Sequence, residues 1–115
     1  MSISKRLEEI ASILDKNKAE NIEKFNLENS EYMVDGVVIA TAMADKHLSA
    51  LLNFLKTDLK PQEEFLNIEE SDEWIVVDFG DILVHIMSEN ARKKYHLEDF
   101  LREFEAKKLA SKAKN

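Results

Sequence analysis

The sequence contains no cysteine, two glycines and a single proline among its 115 residues. Without cysteine, thiol nucleophiles, disulfide bonds and thiolate metal sites are excluded. Two isolated glycines, Gly36 and Gly80, cannot build the glycine-rich loop that cradles phosphates in nucleotide-binding proteins. No apolar run approaches the roughly 18 to 20 residues that a helix needs to cross a bilayer. What remains, 44% hydrophobic and 34% charged residues, is typical of a folded globular domain.

The N-terminal segment sets the expected location. Glu8 and Glu9 stand among its apolar residues, a pattern found neither in signal peptides nor in arginine-rich transit peptides. We therefore expect a cytoplasmic protein that has no membrane partner.

Charge is unevenly distributed along the chain. The net charge is −7, yet residues 105–115 hold four lysines and one acid. The preceding residues have 12 basic and 22 acidic side chains, so this body carries −10. Phosphate backbones repel so acidic a body, which predicts little or no direct nucleic-acid binding and favours a basic partner. The alternative is that the acidity serves only solubility.

The length predicts one domain. Residues 1–104 are long enough to bury a core but not two, and no repeat or flexible linker divides them. The lysine-rich tail over 105–115 has few large apolar side chains, so we expect it to fray.

Hydrophobic spacing predicts alternating helices and strands. The helical segments carry apolar residues three and four positions apart, and the continuous β-branched run over 37–41 predicts a strand buried on both faces. A strand followed by a helix and further strands favours an α/β fold, a mixed β-sheet flanked by helices. The expected elements are a helix from Ile3, capped by Ser2 and ending at Asn17; an edge strand over 19–27; the buried strand; a helix over 44–60 before Pro61; a short strand over 65–68; a hairpin over 74–87; a short helix from the cap Ser88 to Lys94; and a helix buried through Leu97, Phe100, Leu101 and Phe104.

The hairpin is the most informative stretch, and its residues predict a two-residue turn at Gly80-Asp81. With this turn, one face of the hairpin is entirely apolar and must cover the core. The second face is mixed, which is unexpected for a sheet side that meets water. It pairs Asp78 with Leu83, Val76 with His85 and Trp74 with Met87.

Two interpretations of this second face stay open. Helices could cover it and make its residues ordinary core, although Asp78 buried without a partner would cost several kcal/mol. Alternatively, the face is partly open and binds another protein, with Trp74 as the central anchor. The acidic loop over 63–73 would then steer a basic partner towards it. We favour the binding surface.

Patterns for catalysis and metal binding are weak. His47, His85 and His96 do not have the spacing of metal ligands, so each is expected to be structural. His85 and Asp78 lack a neighbouring serine or cysteine nucleophile. The carboxylates of Asp78 and Asp81 need not converge, because Asp81 lies in the turn. The sequence therefore predicts no enzyme, no metal site and no cofactor.

Three motifs extend over most of the chain. They are Trp74, Asp78, Phe79, Gly80, Asp81 and His85 in the hairpin; Arg92, Tyr95, Leu97 and Glu98 after it; and Ile39, Ala40, Thr41, Asp45 and His47 before it. Together they resemble the ribosomal silencing factor family, also called the RsfS or Iojap family, from about Lys18 to Phe104. Five positions depart from the family's pattern: Gly36 and Val37 at the start of the buried strand, Ala42 at its end, Met43 after it, and Leu101 in place of a tryptophan.

The resemblance implies a compact α/β domain with a nucleotidyltransferase-like topology but without the catalytic signature of such enzymes. It also implies binding to the large ribosomal subunit through its fourteenth protein, on the face that meets the small subunit. A protein bound there obstructs subunit joining and lowers translation when nutrients are scarce. Organellar relatives are associated with large-subunit assembly, and family members often form homodimers.

Residues and resemblance together predict a partner-binding site on the second face. The predicted roles are an anchor at Trp74; an apolar patch of Val76, Leu83 and Met87; carboxylates for basic partner groups at Asp78 and Glu73; a ring at His85 that hydrogen-bonds at the patch or contacts and orients Asp78; and Arg92 and Tyr95, which border the surface or brace the hairpin internally.

Three rival interpretations remain. The same surface could serve an assembly factor that acts on immature large subunits. A homodimer could hide Trp74 in a self-contact. A residual nucleotidyl-transfer enzyme could use Asp78, Asp81 and His85.

Overall fold

The computed structural model describes residues 2–60 and 62–114, and the side chains of 109–114 are outside the description. Pro61, expected just past the second helix, is also outside it. Within the described residues the elements are α1 Ile3–Lys16, β1 Glu20–Asn26, β2 Gly36–Ala42, α2 Asp45–Leu59, β3 Asn67–Glu70, β4 Trp74–Asp78, β5 Ile82–Ser88, α3 Glu89–Tyr95 and α4 Leu97–Lys114. Across this part of the chain, no helix is both long and apolar enough to cross a membrane.

The five strands form one sheet in the order β1-β2-β5-β4-β3. The central strands β2 and β5 are parallel, and the other neighbouring pairs are antiparallel. After β2, α2 carries the chain to the far edge at β3, and β4 and β5 then return to the centre. This arrangement confirms the predicted α/β fold with a mixed sheet flanked by helices.

The third strand lies later in the chain than the sequence predicts. It covers Asn67–Glu70 instead of 65–68. Phe65 turns inward, where its ring packs edge to face against Phe79 with 4.8 Å between the ring centroids. Pairing with β4 therefore begins only at Leu66, whose backbone N–H donates to the Asp78 carbonyl at 2.9 Å. The aromatic contact outweighs the local strand pattern.

Helices α1 and α2 cover the first face of the sheet. The Ser2 side chain caps α1 by accepting the Lys5 N–H at 3.2 Å, as predicted. Helix α1 buries its apolar stripe against β1 and β2, and α2 buries its stripe against β2, β4 and β5, which gives the larger of two cores. The buried stripe residues are Ile3, Leu7, Ile10 and Leu14 in α1, and Leu48, Leu51, Leu52, Leu55 and Leu59 in α2.

Helices α3 and α4 cover only part of the second face. The Ser88 side chain caps α3 as predicted, accepting the Ala91 N–H at 3.0 Å. Together with the loop after β1, these helices close a smaller core over β1, β2 and the end of β5. Leu101, which replaces a tryptophan of the family pattern, is fully buried there. Its fully buried neighbours in this core are Val37, Ile39 and Met87.

Phe100 does not belong to the buried stripe of α4 that the sequence predicts. Its side chain is 49% exposed, whereas Leu101 is fully buried. Because consecutive helical residues are about 100° apart around the axis, burying Leu101 turns Phe100 towards the surface. There its ring packs edge to face on Tyr32 and Phe104, with centroid separations of 6.2 and 5.2 Å.

The glycine at position 36, which departs from the family's pattern, has a steric reason. A Cβ added at this position would lie 2.9 Å from Leu7 Cδ2 and 3.2 Å from Ile3 Cγ2. The side chains of α1 therefore pack directly on the backbone at the start of β2, and a larger residue there would require Leu7 and Ile3 to shift.

A guanidinium group ties α1 to the hairpin turn and to the segment after α2. Arg6 donates to both carboxylate oxygens of Glu63 at 2.9 and 2.7 Å, and to both of Asp81 at 2.6 and 2.9 Å. The Glu63 side chain is only 8% exposed. The hydrogen bonds from Arg6 hold the pKa of the Asp81 carboxyl below its usual value. Two acids of the body are thus used internally, and we call this arrangement the Arg6 clamp.

Replacing Arg6 by methionine is expected to lower the free energy of unfolding by about 3 kcal/mol, because Glu63 is left buried and unpaired. Urea denaturation near neutral pH measures the change. The matched control is Lys24→Met, which breaks the more exposed Lys24–Glu8 pair at 3.4 Å and should cost less than about 1 kcal/mol. Equal losses in the two variants would show that the Arg6 clamp is only a surface ion pair.

Candidate functional site

The hairpin has the predicted register. Trp74 pairs with Met87, Val76 with His85 and Asp78 with Leu83, and the apolar pairs lie on the opposite side. The Phe79 N–H donates to the Ile82 carbonyl at 2.9 Å across a turn in which Gly80 has φ +97°. That positive φ favours glycine, so the two-residue turn that fixes which side chains share a face is confirmed.

The second face is covered at one end of β5, which corrects part of the predicted site. Met87 is fully buried and His85 is 7% exposed, so neither is part of the surface. Met87 packs with Ala91 of α3 and Leu101 of α4. The cause is local. Ser88 is both the last residue of β5 and the cap of α3, so the helix starts at once and folds back over the residues that immediately precede it.

The rest of the second face is only partly covered, and within it Trp74 and Leu83 are partly buried side chains that pack against the smaller core. Helix α3 packs against β5 and β2, and α4 packs against β1. The half-exposed side chains are Trp74, Val76 and Asp78 of β4 and Leu83 of β5, and Asn67 and Glu69 of β3 are exposed opposite Asp78 and Val76. We call these six residues the open strip. The exposed Glu73 immediately precedes it.

An indole–imidazole hydrogen bond marks the boundary between the covered and open parts. The Trp74 Nε1–H donates to His85 Nδ1 at 2.9 Å. Since Nδ1 accepts this bond, the proton of the neutral ring is on Nε2. Burial lowers the pKa of His85 to about 4, so the ring is neutral near pH 7. His85 therefore orients the tryptophan, and the predicted contact between His85 and Asp78 is not part of this arrangement.

Tyr95 borders the open strip. Its ring is exposed and lies 5.0 Å from Trp74 between centroids, with an interplanar angle of 43°. Beside the two rings is a cleft of about 300 Å³, whose lining includes Asp72, Glu73 and Lys94. Aromatic walls and carboxylates thus occur together next to the strip.

Arg92 braces the fold and does not reach the strip. It is 9% exposed and donates to the Asn21 carbonyl at 2.8 Å and to Thr41 Oγ1 at 3.0 Å. It also pairs with Glu23 at 3.1 Å and Glu98 at 3.3 Å. Arg92 therefore takes neither of the two roles that the sequence left open, since its side chain braces β1 and β2 instead of bordering the strip or bracing the hairpin.

The three residues of the rival catalytic interpretation have separate partners. Asp78 Oδ1 accepts the Gly80 N–H at 2.7 Å, Asp81 belongs to the Arg6 clamp, and His85 holds Trp74. Among the side chains that the structure describes, no group of three or more histidine and acidic residues could hold a metal ion. The geometry therefore assigns each of these groups a structural partner.

Sequence reasoning missed Glu69 and Asn67 as members of this surface. Both were expected in or next to a solvated loop. The available signal was Ile68, an apolar residue between polar ones, whose inward position would have placed its two neighbours on the second face.

Lowering the pH is expected to destabilise the protein through His85. The unfolded chain binds a proton at His85 below about pH 6.5, whereas the native state resists it down to about pH 4, so stability falls as the pH falls through this window. At about pH 5 the loss relative to pH 7 should be about 2 kcal/mol. Urea denaturation at both pH values measures it.

The control for this titration is His85→Asn, which offers an acceptor near the Nδ1 position but cannot take up a proton. Its stability is lower throughout because a smaller side chain fills the site, but its pH dependence should be flatter by about 2 kcal/mol. An unchanged slope in this variant would assign the acid sensitivity to another group.

Comparisons with known proteins agree with this architecture. The family model described as "Ribosomal silencing factor during starvation" matches residues 1–115. Ribosomal silencing factor RsfS from Haemophilus influenzae is 33% identical over 98 residues, which cover 80% of this chain and 93% of that protein. A Mus musculus relative, "Mitochondrial assembly of ribosomal large subunit protein 1", is 27% identical over 95 residues, covering 77% of this chain and 42% of the mouse protein.

A solved structure gives the same result for the fold. The crystal structure of a protein from Chromobacterium violaceum superposes with a TM-score of 0.80 at 26% identity, covering 88% of this chain and 87% of that one. The family match covers the whole sequence, including the hairpin and the helices that frame the open strip. The chain therefore belongs to the ribosomal silencing factor family.

Proposed function

We propose that this protein is a ribosomal silencing factor that binds the large ribosomal subunit through the open strip and sterically blocks joining of the small subunit. The partner is a basic ribosomal protein, the fourteenth of the large subunit, at the face where the subunits meet. The observation that carries the proposal is the open strip itself, a sheet face with partly exposed apolar side chains that the chain's own helices cover only in part.

The open strip has the composition of a protein-binding surface. Trp74, Val76 and Leu83 supply apolar area at its centre. Carboxylates of Asp78, Glu69 and the adjoining Glu73 stand around this centre. Such an apolar core inside a charged rim is common in protein interfaces, and the sign of the rim selects a basic partner.

Trp74 is prepared for its anchor role before a partner arrives. Its indole is fixed from below by His85 and from the side by Tyr95. Because the side chain is already ordered, little rotamer entropy is lost when a partner packs against it. Aromatic side chains held in this way often dominate the binding free energy of an interface.

The proposed mechanism needs no chemical step. A folded body with principal-axis extents of 47 × 34 × 23 Å, bound at the face between the subunits, excludes the small subunit by its volume. Repression then follows from occupancy, so it rises with the concentration of the factor and with its affinity for the large subunit. The site of action is the cytoplasm, where translation takes place, under nutrient limitation.

The second candidate function is large-subunit assembly, and the name of the mouse relative favours it. An assembly factor would use the same strip but would bind immature particles. A second copy of this chain could also pack on the strip, and a homodimer of that kind would compete with the ribosome for Trp74.

Replacing Val76 by lysine is expected to weaken binding to purified large subunits by tenfold or more, about 1.4 kcal/mol, because a positive charge then faces a basic partner. The matched control is Val76→Glu, which changes the same side chain to a polar one of opposite charge and should bind at least several-fold more tightly than Val76→Lys. Fluorescence anisotropy of the labelled chain measures both affinities. Wild-type affinity in both variants would remove the open strip from the interface.

Purified subunits mixed with the wild-type protein should yield fewer joined ribosomes in sucrose-gradient sedimentation than subunits alone. The Val76→Lys variant at the same concentration should restore joining, because it does not occupy the large subunit. If joining is unaffected while the protein still sediments with the large subunit, blocking is wrong and the assembly role is supported.

A further inference from the structure

A second apolar surface lies on the opposite helix layer. A cleft of about 420 Å³ is lined by Lys16, Asn17, Lys18, Met43, His47 and Phe54. Met43 is 63% exposed and Phe54 is 42% exposed. Two large apolar side chains thus meet in one concave site formed by the end of α1, the turn before α2 and the outer side of α2. We call it the Met43 cleft.

The imidazole of His47 holds two backbone segments together at the floor of the Met43 cleft. The Met43 N–H donates to His47 Nδ1 at 2.8 Å, so the ring proton is on Nε2, which donates to the Asn17 carbonyl at 2.9 Å. Asn17 in turn ends α1, with its Nδ2 donating to the Ile13 carbonyl at 2.7 Å. One side chain therefore joins the end of α1 to the turn after β2, and the cleft is formed without any ligand.

The charge of the Met43 cleft is opposite to that of the body. Its lining contains two lysines and no carboxylate, although acids outnumber bases by seven in the whole chain. Lys16 and Lys18 are exposed, and among the described residues neither forms a salt bridge. By contrast, the cleft beside Trp74 contains Asp72 and Glu73 against the single base Lys94, so its lining is negative overall. Ligands of opposite charge are therefore suited to the two clefts.

The position of the Met43 cleft makes it independent of the open strip. Helices α1 and α2 cover the first face of the sheet, whereas the strip is on the second. A partner in the cleft and a partner on the strip would therefore approach from opposite sides of the sheet.

We propose that the Met43 cleft binds an acidic segment of a second protein, with one apolar side chain of that segment inserted between Met43 and Phe54. The carboxylates that flank the anchor in the segment pair with Lys16 and Lys18. The preformed floor keeps the ordering cost low, and the apolar contact and the pairing of opposite charges both contribute to the affinity. This proposal does not depend on ribosome binding.

The test is a nuclear magnetic resonance titration of the full chain with the peptide N-acetyl-Glu-Asp-Leu-Glu-Asp-amide. The Met43 methyl signal and the backbone signals of His47 and Phe54 are expected to shift saturably. A peptide with alanine in place of leucine should bind about fivefold more weakly, and one with lysine in place of the acids should not bind. Added salt should weaken the binding of the acidic peptide.

Two pairs of variants locate the site. Met43→Ser is expected to weaken peptide binding about fivefold, while the control Met33→Ser changes another exposed methionine and has no effect. Lys16→Gln should weaken it about threefold, and Lys5→Gln, at the other end of α1, should not.

Three results would overturn the proposal. The first is absence of saturable shifts at the Met43 cleft, and the second is equal binding of the acidic and lysine peptides. The third is a set of shifts at Met43 and Phe54 that depends on protein concentration without peptide, which would make a second copy of the chain the occupant.

Discussion

The hydrogen bond from Trp74 to His85 connects the two parts of the second sheet face. On its imidazole side, α3 and α4 close a core around Met87 and Leu101. On its indole side, α3 reaches Trp74 through the ring of Tyr95, and the open strip of β4 and the edge strand β3 begins. A buried histidine with a lowered pKa makes the folded protein less stable in acid, because the unfolded chain binds a proton at this residue more readily. Its contact with the indole explains its presence, because the imidazole fixes a half-exposed tryptophan in one orientation.

The distribution of charge follows from how the acids are used. Glu63 and Asp81 share the guanidinium of Arg6, so one of their two negative charges is balanced within the Arg6 clamp. Glu69 and Asp78 remain beside the strip, and Lys16 and Lys18 stand at the Met43 cleft on the other layer. The net charge of −7 therefore describes neither surface. The protein offers opposite charges to partners on its two sides.

The sequence predicted much of the fold because its strongest signals are local. Alternation in the hairpin and the Gly80-Asp81 turn give the register, and the spacing of leucines gives α2 and its buried side. The extent of the helix cover could not be predicted, because it depends on where α3 folds back after Ser88 and on the tie from Arg92 to β1. For the same reason the burial of Met87 and His85 could not be predicted. Both lie on the second face of the sheet, opposite to the residues that cover the larger core, and they are buried only because α3 and α4 pack over that end of β5. Phe65 was misplaced for a related reason, since its partner Phe79 is distant in sequence.

Hydrogen–deuterium exchange of the full chain, with and without purified large ribosomal subunits, tests the central claim most directly. If the open strip is the docking surface, amides of the edge strand over 67–70 should become strongly protected on binding, since they are at the uncovered rim of the sheet. Amides of α1 should exchange at unchanged rates. Protection concentrated in α1 and α2, with β3 unaffected, would contradict the account and place the ribosome on the opposite face.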